Sequence, residues 1–151
     1  MSRFKSKIKH SPDEAIKRLE EIAKSLKTPG SVLVGLPKGS NDYPDGTSVI
    51  MVGVVHEFGS PSRGIPQRSF LRSTIVEQRS KYKSLMKKLT RQFVSGKITS
   101  EKMMGLLGLK LQTDVREKIT DIKEPALKSR EGNPLIDTGH LRQSIVFEVI
   151  T

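Results

Sequence analysis

Read from its N-terminus, the chain begins its regular patterning at residue 12. Ile16, Leu19, Ile22, Ala23 and Leu26 fall on one face at helical spacing. Ser11 can cap this segment, Pro12 suits the first helical position, and Glu14 stands at the reciprocal capping-box position. Thr28-Pro29-Gly30 ends it, so a helix is predicted over about 12–27, with Met1 to His10 as a basic arm before it. Ser31 to Leu36 is short, β-branched and bounded by turn residues, which predicts a strand. A polar loop, Pro37 to Thr47, leads to a second apolar run, Ser48 to Phe58. That run is nearly continuously apolar and predicts a strand covered on both faces, paired with the first as an antiparallel hairpin.

Gly59 to Ser69 is a Gly/Pro/Ser loop carrying Arg63 and Arg68. Helical pattern then runs from Phe70 to about Val94 or Ser95, through Leu71, Ile75, Tyr82, Leu85, Leu89 and Phe93, and Gly96 supplies a stop. Thr99 or Ser100 can cap a second long helix to about Ile122, with Leu107, Leu111, Val115 and Ile119 along one face. Gly105 and Gly108 lie inside it, and each costs about 1 kcal/mol against Ala. They predict close approach of another helix or subunit, or else a break in the helix. Glu124 to Asn133 reads as a loop, and Asp137 or Thr138 as the cap of a short turn through His140 and Leu141. Ile145, Phe147 and Val149 alternate with Val146, Glu148 and Ile150, a final strand best added to the first two. The fold class is therefore α+β: a small, mainly antiparallel sheet (strands about 31–36, 48–58 and 144–150) flanked by an N-terminal helix and two long central helices. Residues 11–151 form a single domain behind the arm at 1–10.

Composition sharpens this picture. A chain of 151 residues suits one domain. Apolar residues make up 34% and aromatics 5%, a lean core that favours burial against neighbours. There is no Cys, hence no disulfide framework and no thiolate metal site. No apolar run approaches the roughly 18–20 residues of a membrane span. The net charge of +11 favours a polyanionic partner. Much of that charge lies in one segment, Arg79, Lys81, Lys83, Lys87, Lys88 and Arg91, continuing to Lys97 and Lys102, where Glu101 is the only acid. Three readings stay open for this helix face: contact with DNA phosphates, contact with an acidic protein, or simple solvation. Base-reading or stacking groups are lacking, apart from Tyr82, which also fits the core.

Catalytic chemistry finds little to work with. His56-Glu57 could be a general base or a metal-ligand pair. Adjacent strand residues point to opposite faces, so a structural pair bonding the following loop is the better reading. Asp137 and His140, with Ser144 nearby, lack a nucleophile elbow and a Gly-rich oxyanion segment. Nor does Gly35 to Gly39 continue into a phosphate loop. No catalytic residue, metal or cofactor is expected.

The ordered clusters nevertheless carry a resemblance. Val34-Gly35-Leu36-Pro37, Val55-His56-Glu57-Phe58-Gly59, Ile65-Pro66-Gln67-Arg68-Ser69-Phe70-Leu71-Arg72, and Pro134 to Ile145 occur in that order. Over about 31–150 the chain resembles the neck proteins of tailed bacteriophages, also called head–tail connector or tail-completion proteins. It departs at Ser69, where the family often has Pro. The resemblance implies a structural virion protein without enzyme activity, made in the host bacterial cytoplasm. It would act at the head–tail junction as a homo-oligomeric ring, a hexamer first and a dodecamer second. Its partners would be other neck, portal-adaptor and tail-tube or terminator proteins, with packaged DNA passing through the channel and no membrane involved. Candidate interface residues are Arg63, Arg68, Phe70 and Arg72, with His56, Glu57, Asp137, His140 and Arg142. Arg79, Lys83, Lys87, Lys88 and Arg91 are candidates for DNA or an acidic partner. The rival readings are a basic nucleic-acid-binding module, a small hydrolase using His56/Glu57 or Asp137/His140, and a terminator or stopper of the same junction.

Overall fold

The capping signals at Ser11 and Glu14 act as expected. In the computed structural model, which describes residues 11–27, 30–127 and 131–150, helix α1 spans Pro12–Lys27. Ser11 N–H donates to Glu14 Oε2 (3.0 Å) and Glu14 N–H to Ser11 Oγ (3.2 Å), a closed capping box. The basic arm at 1–10 lies outside the described residues. The apolar face of α1 is only partly covered: Ile22 packs on the core, while Ile16 and Leu19 stay exposed.

Strand β1 (Ser31–Gly35) follows as predicted and pairs antiparallel with the last strand, β2 (Val146–Ile150), from Ser31↔Ile150 to Gly35↔Val146. The sheet has these two strands only among the described residues. Val32, Val34, Phe147 and Val149 turn inward, and Leu33, Val146 and Ile150 outward, the alternation read from the sequence.

The run at 48–58 is not a strand. It forms helix α2, Val49–Phe58, so the predicted hairpin with β1 does not exist. Its length explains this. A continuous apolar run has no diagnostic period, and ten residues exceed a usual buried strand. The ends are punctuated for a helix as well. Ser48 is extended at the N-cap, Asp42 Oδ1 accepts from Val49 N–H (3.1 Å), and Gly59 closes the helix at φ 76° with its N–H on Val55 O (2.8 Å). Val49, Gly53 and Glu57 are buried at i, i+4, i+8, a helical stripe. β-Branched propensity yields here to tertiary packing.

A short 3₁₀ turn, Pro61–Arg63, then leads to helices α3 (Leu71–Glu77) and α4 (Arg79–Val94), so the expected single helix is broken at Gln78 (φ −94°, ψ 4°). The long helix α5 (Ser100–Asp121) is capped by Thr99, whose hydroxyl accepts from Lys102 N–H at 3.1 Å. It is unbroken at both glycines and contacts β1, β2, α3, α4 and the short helix α6 (His140–Gln143). Gly108 admits Phe147: a Cβ there would stand 2.2 Å from the ring. The close approach at Gly108 is thus made by strand β2 of the same chain rather than by the expected helix or subunit, and a Cβ on Gly105 would meet nothing within 4 Å.

Two apolar clusters flank α5. Val49, Phe70, Val115, Ile119, Leu135, Leu141 and Ile145 form one; Leu89, Phe93, Met103 and Met104 form the other, with Ile22, Val32 and Val149 against it. Arg18 reaches across to the second cluster, its guanidinium 4.6 Å from the Phe93 ring centroid and hydrogen-bonded to the Phe93 carbonyl.

Candidate assembly site at the loop-to-helix joint

Glu57 organises the joint. It sits in the last turn of α2, is buried, and aims its carboxylate at the first turn of α3, where backbone N–H groups have no helical partner. Oε2 accepts from Phe70 and Leu71 N–H (both 2.9 Å). Oε1 accepts from the Ser69 hydroxyl (2.8 Å), Arg72 N–H (3.1 Å) and Arg72 Nε (2.9 Å). Burial alone would push this carboxyl up. The donors from Leu71, Arg72 and Ser69 outweigh it and hold the pKa below the ordinary glutamate value. Glu57 thus caps α3 from another helix, and the Ser69 hydroxyl adds a local cap by accepting from Ser73 N–H (3.3 Å). The reading of Glu57 as a partner of the following loop is correct in its target, although the residue lies on a helix.

The rest of the motif closes around it. Arg68 N–H donates to His56 O (2.7 Å), and Gln67 Nε2 to Glu57 O (3.0 Å). Gly59 must be glycine: its φ is 76°, and a Cβ would come within 2.9 Å of Gln67 N. The Arg68 side chain is 4% exposed, with Nε on Pro125 O (2.6 Å) and Nη2 on Ala126 O (3.1 Å). Burial, then the nearby Arg68 cation, push the His56 imidazole below its ordinary pKa, so it is neutral at pH 7. His56 Nδ1 has no hydrogen-bond partner among the described residues.

Phe70 and Arg68, expected to anchor a partner, are therefore used inside the chain: Phe70 is 2% exposed in the first core cluster. Substituting either tests folding rather than contact. Glu57 is likewise internal. Arg63 and Arg142 are exposed, and Arg72 is half-exposed with its guanidinium 4.4 Å from the Phe58 ring centroid.

Asp137 and His140 belong to a different cluster. His140 Nε2 lies 2.7 Å from Asn41 O, and its ring is 4.6 Å from Tyr43. The Ser144 hydroxyl donates to the His140 carbonyl (3.0 Å), not to its imidazole, so no nucleophile–base pair forms. This cluster ties the loop after β1 to α6.

Helix α2 carries a feature absent from the expected site. Its outer face presents Met51 (58% exposed), Val54 (47%) and Phe58 (58%) at i, i+3, i+7. A helix apolar on all sides is ordinarily buried on all sides. Val76 on α3 is also exposed. The signal was in the sequence: residues 49–55 form an uncharged apolar run ahead of His56 and Glu57. The six basic side chains of α4 all face solvent. Comparisons with protein-family models, curated proteins and solved structures give no match.

Proposed function

We propose that this chain is a structural protein of a phage neck, assembled as a homo-oligomeric ring at the head–tail junction and without catalytic activity. The observation that carries the reading is the Met51, Val54 and Phe58 stripe on the outer face of helix α2. Next to it stands the Arg72–Phe58 pair, and aromatic residues and Arg are the types that dominate binding hot spots. The occupant we assign to this stripe is a second copy of the chain. Residues 49–55 bear no charge, so two copies of a protein with net charge +11 can meet there without opposing charges of like sign.

The ordered motifs support the same reading. The His56-Glu57-Phe58-Gly59 and Arg68 to Arg72 segments form a joint that fixes the angle between α2 and α3, a mechanical role. No described helix is long and apolar enough to cross a membrane. Location in the virion, and partners among neck, portal-adaptor and tail proteins, belong to this proposal, as does a hexamer in preference to a dodecamer.

Light scattering across concentration, on the full chain alone and with co-expressed neck and tail proteins, tests it. A closed oligomer, or a stable complex with those proteins, is expected. A chain that stays monomeric under both conditions would overturn the reading.

A further inference from the structure

Helix α4 has two faces of different chemistry. Tyr82, Leu89 and Phe93 are buried on one side. Opposite them Lys83, Lys87 and Arg91 stand at i, i+4, i+8, a single ridge with cations about 6 Å apart along the axis. Arg79, Lys81 and Lys88 flank it, and the helix contains no acid. None of the six has an ion-pair partner among the described residues. The nearest preceding acid, Glu77, is held by Lys118 at 2.8 Å.

From this ridge we infer that α4 binds the phosphate backbone of duplex DNA without reading sequence. Composition separates this partner from an acidic protein. Protein interfaces are depleted in Lys and built around aromatic or apolar anchors. This face carries Lys with Ser80, Ser84 and Thr90 between, and Val94, at the final position, is the one large apolar side chain exposed on the helix. Lys, Arg, Ser and Thr are the side chains that contact phosphate. A single strand would be gripped by stacking, and the one aromatic in the middle of the helix, Tyr82, is buried. Phosphate contacts carry no sequence information, so the binding they supply is non-specific. The inference stands on α4 alone and does not depend on the ring proposal.

The test is fluorescence anisotropy of a mixed-sequence duplex titrated with the full chain at several salt concentrations. With about five phosphates neutralised, affinity falls roughly 500-fold between about 50 and about 200 mM salt. Lys83→Gln/Lys87→Gln/Arg91→Gln removes about three of these contacts, which cuts that fall to roughly twelvefold. Lys17→Gln/Lys38→Gln/Lys123→Gln removes the same charge from elsewhere and is expected to leave the slope near the parent value. All six positions are exposed, and circular dichroism confirms folding. Absence of DNA binding, equal effects of the two triple variants, or equal competition by poly-L-glutamate at matched charge would each overturn the inference. The last result would point to an acidic protein surface.

Discussion

Glu57 shows how one side chain can decide the meaning of a motif. Its carboxylate caps the start of α3, Oε2 taking the Phe70 and Leu71 N–H groups while Oε1 holds the Ser69 hydroxyl and Arg72. Removing it leaves the Phe70, Leu71 and Arg72 N–H donors and Arg72 Nε without their acceptor, while Arg72 Nη2 keeps the Glu57 carbonyl. Glu57→Ala is expected to cost about 3 kcal/mol, within the range for breaking buried charged networks. Glu57→Gln, which keeps one acceptor oxygen, is expected to cost about half that; urea unfolding at pH 7 measures both. The pH dependence has a definite sign. The folded-state pKa lies below the unfolded one, so between them the unfolded chain binds more protons and stability rises with pH. The contribution is fully present above about pH 4.3 and is lost as pH falls through the folded-state pKa. Unfolding curves from pH 3 to pH 6 should show Glu57→Gln losing less stability on acidification than the parent; parallel curves would refute the assignment. The motif was visible in the sequence, and its function as a cap was not. Nothing local distinguishes a glutamate that caps a helix 13 residues ahead from one that faces solvent.

Elements with both a clear period and a local cap or alternation were the legible ones. The Ser11/Glu14 box, the Thr99 cap and the alternation at 145–150 each have a local physical cause, and α1, α5 and β2 lie where that cause puts them. The run at 48–58 misled because period, the primary signal, is missing from a segment apolar on every side. The break at Gln78 had no Gly or Pro to announce it. The glycines of α5 allow the packing argument to be tested by two substitutions with opposite signs. A Cβ on Gly105 meets nothing within 4 Å, so Gly105→Ala should stabilise by about 0.5–1 kcal/mol through helix propensity. Gly108→Ala gains the same propensity but drives its methyl into Phe147. A net loss of about 1–2 kcal/mol is expected from overpacking. Thermal melts of the two variants should move in opposite directions.

At the scale of the whole molecule, the core is divided and the surface is uneven. The chain leaves Met51, Val54 and Phe58 exposed while covering the other side of the same helix. Val54→Asp adds a charge to an exposed position. It should change monomer stability by no more than about 0.5 kcal/mol, yet abolish self-association in light scattering; assembly as in the parent would remove α2 from the interface. The fold class could be read from the sequence because it rests on elements. The apolar run that carries the exposed stripe was visible as well, but its exposure was not, since exposure is set by what the rest of the chain fails to cover. One feature of the topology bears on how the molecule is made. Its only described sheet joins Ser31 to Ile150, the first strand to the last. The Glu57 joint closes over fewer than 16 residues, a local loop of low entropic cost. The sheet closes over nearly the whole domain, and contacts so distant in sequence slow folding. On the ribosome the joint can therefore form while synthesis continues, whereas Gly108 waits for Phe147 and the first half of α5 stays open on that side. The nascent chain is most vulnerable to proteolysis and aggregation in the interval before residues 146–150 emerge.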